Sequence, residues 1–256
     1  MRVASAALLA VALASGCGAG TVIAEPASAP ADAPVFSTAT TAAEAGLVDI
    51  RERVPDIDLD IRYAGDDNFT GAPVDGYAAA RCYLLAPAAD ALAAVESDLR
   101  AQGLRLRIFD CYRPVRAVRR FMRWIEEDDD LVARARYYPN LPKRALRGEY
   151  IAPLSGHSRA ATVDLTLLEC DRDGACRPLD MGTPFDFFDP RANTDSPQAS
   201  PQQRRNRDRL RAAMERHGFR NYPQEWWHYT LDPEPSKRIH YDVPIEDVPI
   251  EDVPLD

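Results

Sequence analysis

A basic excess is absent from this 256-residue chain: 31 Lys+Arg stand against 40 Asp+Glu, a formal net charge of −9. Nucleic-acid binders normally carry a basic face, so that class is set aside. Lysine is nearly missing, present only at Lys143 and Lys237, and we read this bias toward arginine as genomic composition ahead of chemistry. No C-x-x-C spacing occurs among the five cysteines, which argues against a cysteine-rich zinc site. Nor does "VASAALLAVALA", the apolar stretch after Met1-Arg2, reach the ~20 residues that a membrane-spanning helix needs.

What is present suits one generous domain with appendages. Hydrophobic residues make up 46% of the chain, enough for a sizeable core, and charged residues an ordinary 28%. Residues 1–17 read as a signal peptide, because that apolar stretch has the length of an h-region and "ASGC" ends at Cys17 like a lipoprotein cleavage box. Ala14 stands where leucine is commonest in such boxes. The expectation is export to the periplasm or cell envelope, with Cys17 lipidated as the only tie to a membrane. Residues 18–45, rich in Ala, Thr, Ser and Pro, read as a flexible tether, and 244–256, repeating Val-Pro-Ile-Glu-Asp, as an acidic, proline-spaced tail. The domain lies between them, over 46–243.

Export makes disulfides the default for Cys82, Cys111, Cys170 and Cys176, which allow three connectivities. Cys170 and Cys176 bracket the turn-like "DRDGA", and pairing them leaves Cys82 with Cys111.

Within the domain, period-two alternation predicts strands over 56–63 and 104–111, and further strands are read over 162–168 and 225–231. Ala88, Leu92, Val95 and Leu99 predict a helix over 87–102, stopped by Gly103. Helices are also predicted from Pro114 onward and over 204–217, the latter ended by Gly218. Strands and helices mix without strict alternation, which favours an α+β domain with a mostly antiparallel sheet and flanking helices.

Three places put polar groups where burial is expected: Arg113, the pair His157 and Asp164 in "SGHSRAATVDL", and Glu225 with His228 in "EWWHY". Imidazole and carboxylate are natural zinc ligands, and a catalytic zinc site keeps three protein ligands and an open position. His157, Asp164 and His228 make such a set, with Glu225 nearby. In a flat strand, residues three apart face opposite ways, so Glu225 and His228 share a site only if Glu225 lies in the preceding turn. A lone His or Asp is usually structural. His217, on the Leu210/Met214 face of its helix, is read that way, and His240, near the tail, is read as an ordinary surface residue.

"SGHSRAATVDLTL" and "EWWHY" resemble the zinc signatures of the D-alanyl-D-alanine dipeptidases, the VanX-like branch of the zinc D,D-peptidases (family M15) that cut peptidoglycan-type peptides. "NFTGAPVDGY", "DCYRPVRAV", "YYPN" and "MGTPFDFFD" resemble further segments of that family in the same order, so the likeness spans about Ile57 to Asp242. The resemblance implies one Zn2+ per chain held by His157, Asp164 and His228, with Glu225 as catalytic base and Arg113 near the scissile carbonyl. It also implies that Asp186 meets the substrate ammonium, that Ser155 lies beside the bound dipeptide, and that the partner is D-Ala-D-Ala or a related small peptide. Gly156 departs from the pattern, since close relatives often have serine there. Two other readings stand beside this one: a D,D-carboxypeptidase or endopeptidase acting on longer wall peptides, and a non-catalytic, zinc-containing, wall-binding lipoprotein.

Overall fold

Alternation along Thr162–Cys170 puts Val163, Leu165 and Leu167 on one side of a strand and Thr162, Asp164 and Thr166 on the other, and both sides are buried. That strand is the middle of the protein. A computed structural model describes residues 33–247; the segment expected to be a signal peptide, Cys17 and most of the expected tether, with residues 248–256, lie outside the described residues.

In chain order the elements are β1 (Val35–Phe36), β2 (Leu47–Asp49), β3 (Asp58–Leu59), β4 (Tyr83–Leu85), α1 (Ala86–Arg100), β5 (Leu104–Asp110), α2 (Val115–Glu126), α3 (Leu131–Tyr137), β6 (Thr162–Cys170), β7 (Cys176–Pro178), α4 (Pro201–Glu215), β8 (Phe219–Asn221), β9 (His228–Leu231) and β10 (Ile239–His240). The main sheet runs β3-β5-β6-β9-β8, with β7 also paired to β6. Every pairing in it is antiparallel except β3 with β5. The expected α+β class and mostly antiparallel sheet are therefore observed.

Cross-strand pairs Leu106–Leu167 and Ile108–Leu165 build the face on which α1 and α4 pack. The opposite face carries Asp164 and Thr166. A register shift between Ile108 and Asp110 sets Asp110 opposite Asp164. Simple alternation would leave Asp110 on the face of Ile108; the bulge turns it toward Asp164, as bulges beside functional sites commonly do.

α4 begins with a capping box at Ser200 and Gln203 and with Pro201 in its first turn, so it starts earlier than hydrophobic periodicity alone predicts. Gly218, at φ +85°, supplies the expected stop. From α4, the fully buried Arg207 donates to the carbonyls of Met181, Arg191 and Asn193 at 2.6–3.0 Å, bracing the loop that carries Asp186.

The folded unit runs past both boundaries drawn from the sequence. β1, inside the expected tether, pairs in parallel with β10, and Ile245, inside the expected tail, is fully buried and bridged to Tyr77. Two-residue pairings and single side chains inserted between prolines leave no period to read. His240 also departs from expectation: it sits in β10 and is only 4% exposed. His217 instead ties the end of α4 to α1, 2.9 Å from Asp98.

Candidate metal centre and active site

β6 and β9 create the centre of the site, because Asp164 and His228 are register partners on adjacent strands. His157 arrives from the 3-10 turn Gly156–Arg159, whose first N–H groups are capped by Ser155: the Ser155 Oγ accepts from the His157 N–H at 3.2 Å. β9 starts only at His228, so Glu225 and Trp226 lie in the turn before it. That placement satisfies the geometric condition for Glu225 and His228 to share a site. The side-chain atoms Glu225 Oε2 and His228 Nδ1 are 3.4 Å apart.

Ligand atoms of His157, Asp164 and His228 converge within 4.8 Å of one another, the one such cluster among the described residues. His157 Nε2 is 3.2 Å from Asp164 Oδ2 and 3.3 Å from His228 Nδ1, which is 3.1 Å from Asp164 Oδ1. The other nitrogen of His157, Nδ1, lies 2.7 Å from the Cys111 carbonyl, which can only accept. Nδ1 is therefore the protonated one, and the Nε2 lone pair faces the cluster. Asp164 Oδ1 is buried with no sound hydrogen bond.

Those observations test the fit of a metal. Tetrahedral bonds of 2.0–2.1 Å put neighbouring ligands about 3.3 Å apart, close to the spacings found here. Charge points the same way. Asp110, Asp164, Asp186 and Glu225 are all at most 7% exposed, and Arg113 is the cation that faces them. A dication would offset that excess of negative charge. Burial, then Asp164 and Asp186, push the Glu225 carboxyl well above the usual carboxylate range. Burial, then Asp164, does the same to Asp186. Asp164 behaves oppositely: burial would raise it, but the two imidazoles outweigh burial and hold it low.

Arg113 follows directly from the bulge. Asp110 accepts from its Nε at 2.9 Å, and its Nη2 lies 2.9 Å from Asp110 and 3.5 Å from Asp164. The guanidinium sits 5.1 Å from the ring centres of both Tyr63 and Phe121, which fixes its plane. Asp110 also accepts from the Tyr77 hydroxyl at 2.6 Å.

Arg113, Ser155, His157, Glu225 and His228 line one cavity of about 240 Å³, with Tyr150 and Tyr222 at its sides. Asp186 does not line it. Its carboxylate accepts from the hydroxyl of Tyr63, the ring that Arg113 covers, at 2.9–3.1 Å, and it borders a neighbouring cavity of about 500 Å³. At φ +59° its backbone is left-handed, which costs a non-glycine residue about 1–2 kcal/mol, so its surroundings impose the position.

Gly156 has a spatial reason. A Cβ there would lie 3.0 Å from Thr162 Oγ1, which pairs with Thr230 Oγ1 at 2.9 Å. Thr162 occupies the room that a side chain at 156 would need.

Asp110 and Tyr63 were not singled out from the sequence as site residues. The adjacent apolar pair Ile108-Phe109, which breaks the alternation of β5, is the signal that could have exposed Asp110; for Tyr63, 123 residues from its partner Asp186, no local signal exists. Both expected disulfides, Cys82–Cys111 and Cys170–Cys176, are formed.

A three-donor His/Asp cluster, a buried carboxylate beside it and a fixed guanidinium are the equipment of a hydrolase of the metallopeptidase kind. Comparison with known proteins narrows this. The family model of the M15 peptidases, described as D-ala-D-ala dipeptidase, matches residues 43–249, and the chain belongs to that family. It is 38% identical to a D-alanyl-D-alanine dipeptidase of Enterococcus faecium over 204 residues, 79% of this chain and all of that protein. It is 40% identical to the protein of the same name from Streptomyces coelicolor over 198 residues, 77% of this chain and 96% of that one. The Escherichia coli dipeptidase is 35% identical over 193 residues, covering 74% of this chain and 86% of its own length.

Proposed function

We propose that this enzyme hydrolyses D-alanyl-D-alanine, with one zinc held by His157, Asp164 and His228. The observation that carries the reading is the set of three lone-pair donors 3.1–3.3 Å apart beside a buried carboxylate. Zinc bound there would supply Lewis-acid polarisation of the scissile carbonyl and lower the pKa of water to about 7. Glu225 accepts the proton of the attacking water and returns it to the leaving amine, and its turn position keeps it beside the metal ligands without being one of them. Arg113 spends Nε and Nη2 on Asp110 and Asp164, and its remaining N–H groups stabilise the developing oxyanion. Ser155 lies along the bound dipeptide.

Asp186 with Tyr63 is the candidate for the substrate ammonium. A cavity of about 240 Å³ is below the ~300–1,000 Å³ usual for drug-sized ligands, which supports a dipeptide over a long wall peptide. One observation favours the alternative of a longer peptide. His228 and Tyr222 also line a further recess of about 230 Å³ with Arg159 and Glu234. Location belongs to the same proposal: an exported protein of the cell envelope, lipid-anchored at Cys17, acting on wall-derived peptides. Two disulfides support an oxidising compartment.

The test is turnover by the zinc-loaded protein of D-Ala-D-Ala and of a longer peptide ending in D-Ala-D-Ala. Preference for the dipeptide is the expected result. Equal or better turnover of the longer peptide selects the carboxypeptidase reading, and zinc binding without turnover of either selects the non-catalytic one.

A further inference from the structure

The two disulfides sit in different settings. Cys170–Cys176 closes an exposed turn between β6 and β7, away from the cluster. Cys82 and Cys111 are both buried, and Cys111 directly follows Asp110, at the point where the chain leaves β5. The carbonyl of Cys111 is the acceptor that holds His157 Nδ1. Beyond Asp110 no ladder fixes this segment. Its order rests on scattered bonds: Tyr112 N–H to the Tyr83 carbonyl at 3.0 Å, Arg113 N–H to the His157 carbonyl at 3.3 Å, and the Tyr112 hydroxyl with Val243. The covalent link joins it to Cys82, immediately before β4, a strand that pairs with β2 in a small sheet separate from the main one. β4 also accepts order from the ligand turn, since Leu85 N–H donates to the Ala160 carbonyl at 2.8 Å.

We propose that the Cys82–Cys111 disulfide is a positioning element of the metal centre, so that its oxidation sets how firmly the centre holds zinc. The inference rests on the zinc reading above. The bond keeps the Cys111 carbonyl at His157 Nδ1, which fixes both the tautomer and the ring orientation of that ligand. The same bond holds the short link from Asp110 to Arg113. Groups that orient a ligand through its second nitrogen typically change metal affinity or activity 10–100-fold when lost. Cys111→Ala leaves the carbonyl itself in place, so any change reports positional freedom and not a missing acceptor.

The experiment compares three full chains: wild type, Cys82→Ala/Cys111→Ala, and Cys170→Ala/Cys176→Ala. Zinc affinity is measured by chelator competition, beside kcat, KM and the melting temperature. We expect the first pair of substitutions to weaken zinc binding about 10–100-fold and to lower kcat while KM stays within about twofold, because neither cysteine lines the cavity. Removing the second disulfide should leave zinc affinity unchanged. A Cys82→Ala/Cys111→Ala chain that melts earlier yet holds zinc as tightly as wild type overturns the proposal and makes the bond a staple only. Should that variant not fold, wild type is reduced with a phosphine while zinc release and circular dichroism are followed together. Release preceding any loss of structure supports the proposal; release only with unfolding overturns it. A wild-type chain that binds no zinc sinks the functional reading itself, a separate outcome.

Discussion

Two cavities open on the face of the sheet that carries Asp164 and Thr166, and they differ in a way that volume conceals. The larger, about 500 Å³, is lined by Arg62, Arg107 and Arg136, but each guanidinium meets a carboxylate. Arg62 lies 2.8 Å from Asp60 and 2.7 Å from Asp67, Arg107 lies 2.7 Å from Asp58, and Arg136 also pairs with Asp67. The smaller, about 240 Å³, borders carboxylates that the single Arg113 cannot balance. Buried charge without a counter-charge is expensive unless something binds there, so imbalance locates chemistry better than space does. Asp186 links the two in charge and not in space: it borders the larger cavity, yet the charges that act on it most are Asp164 and Arg113, which belong to the smaller site.

The sharpest way to break this comparison is to remove a metal ligand. His157→Ala should lose zinc, and turnover with it, while neighbouring strands stay folded. Metal analysis of the purified variant decides it. Stoichiometric zinc in both His157→Ala and His228→Ala would contradict the ligand assignment.

Glu225→Ala comes next. It should keep zinc and fold but lose roughly 10²–10⁴-fold in turnover, the usual cost of removing a positioned general base. Zinc content, melting and steady-state kinetics on that one variant separate the roles. An active variant ends the mechanism, and a zinc-free inactive one makes Glu225 structural.

A smaller effect is expected at the wall of the same cavity. Gly156→Ser pushes against Thr162 Oγ1, and overpacking of this kind costs about 1–3 kcal/mol. Thr162→Ala makes room, so the double variant should recover part of that loss. Contacting positions typically couple by about 0.5–3 kcal/mol. Denaturant unfolding of the four-member cycle measures it, and strict additivity would mean that Thr162 is not why glycine stands at 156.

How much of this was legible beforehand follows from the range of each interaction. Asp164 and His228 are readable as members of one ligand set because each is a metal-binding residue type in its own motif, whereas their pairing across adjacent strands is shown only by the fold. For Glu225 parity gives a condition, since three residues of strand cannot bring two side chains to one face, and the later start of β9 at His228 meets it. Asp110 is hidden because a bulge inverts the parity of its strand, so alternation assigns it to the wrong face. The Tyr63–Asp186 contact escaped because it joins two loops by tertiary packing alone. The ends of the fold escaped for a third reason: β1 with β10, and Ile245 with Tyr77, are too short to write a period into the chain.

The mildest prediction concerns the larger cavity. Arg136 has half its side chain in water, pairs with the half-exposed Asp67, and lies 5.0 Å from the Tyr137 ring centre. An exposed ion pair of this kind is worth about 0.2–1 kcal/mol, because solvent screens it and two long side chains must be ordered to form it. Arg136→Ala should therefore lower stability by no more than that and leave kcat/KM for D-Ala-D-Ala within about twofold, as expected for surface substitutions away from a site. The nearby Asp67 keeps Arg62 as a partner at 2.7 Å, so no carboxylate is stranded by the change. Kinetics at several salt concentrations make the test sharper, since a screened pair has little left to lose at high salt. A tenfold fall in kcat/KM with an unchanged melting temperature would mean that substrate reaches past Asp186 into the larger cavity, and the contrast between a chemical pocket and a merely roomy one would no longer hold.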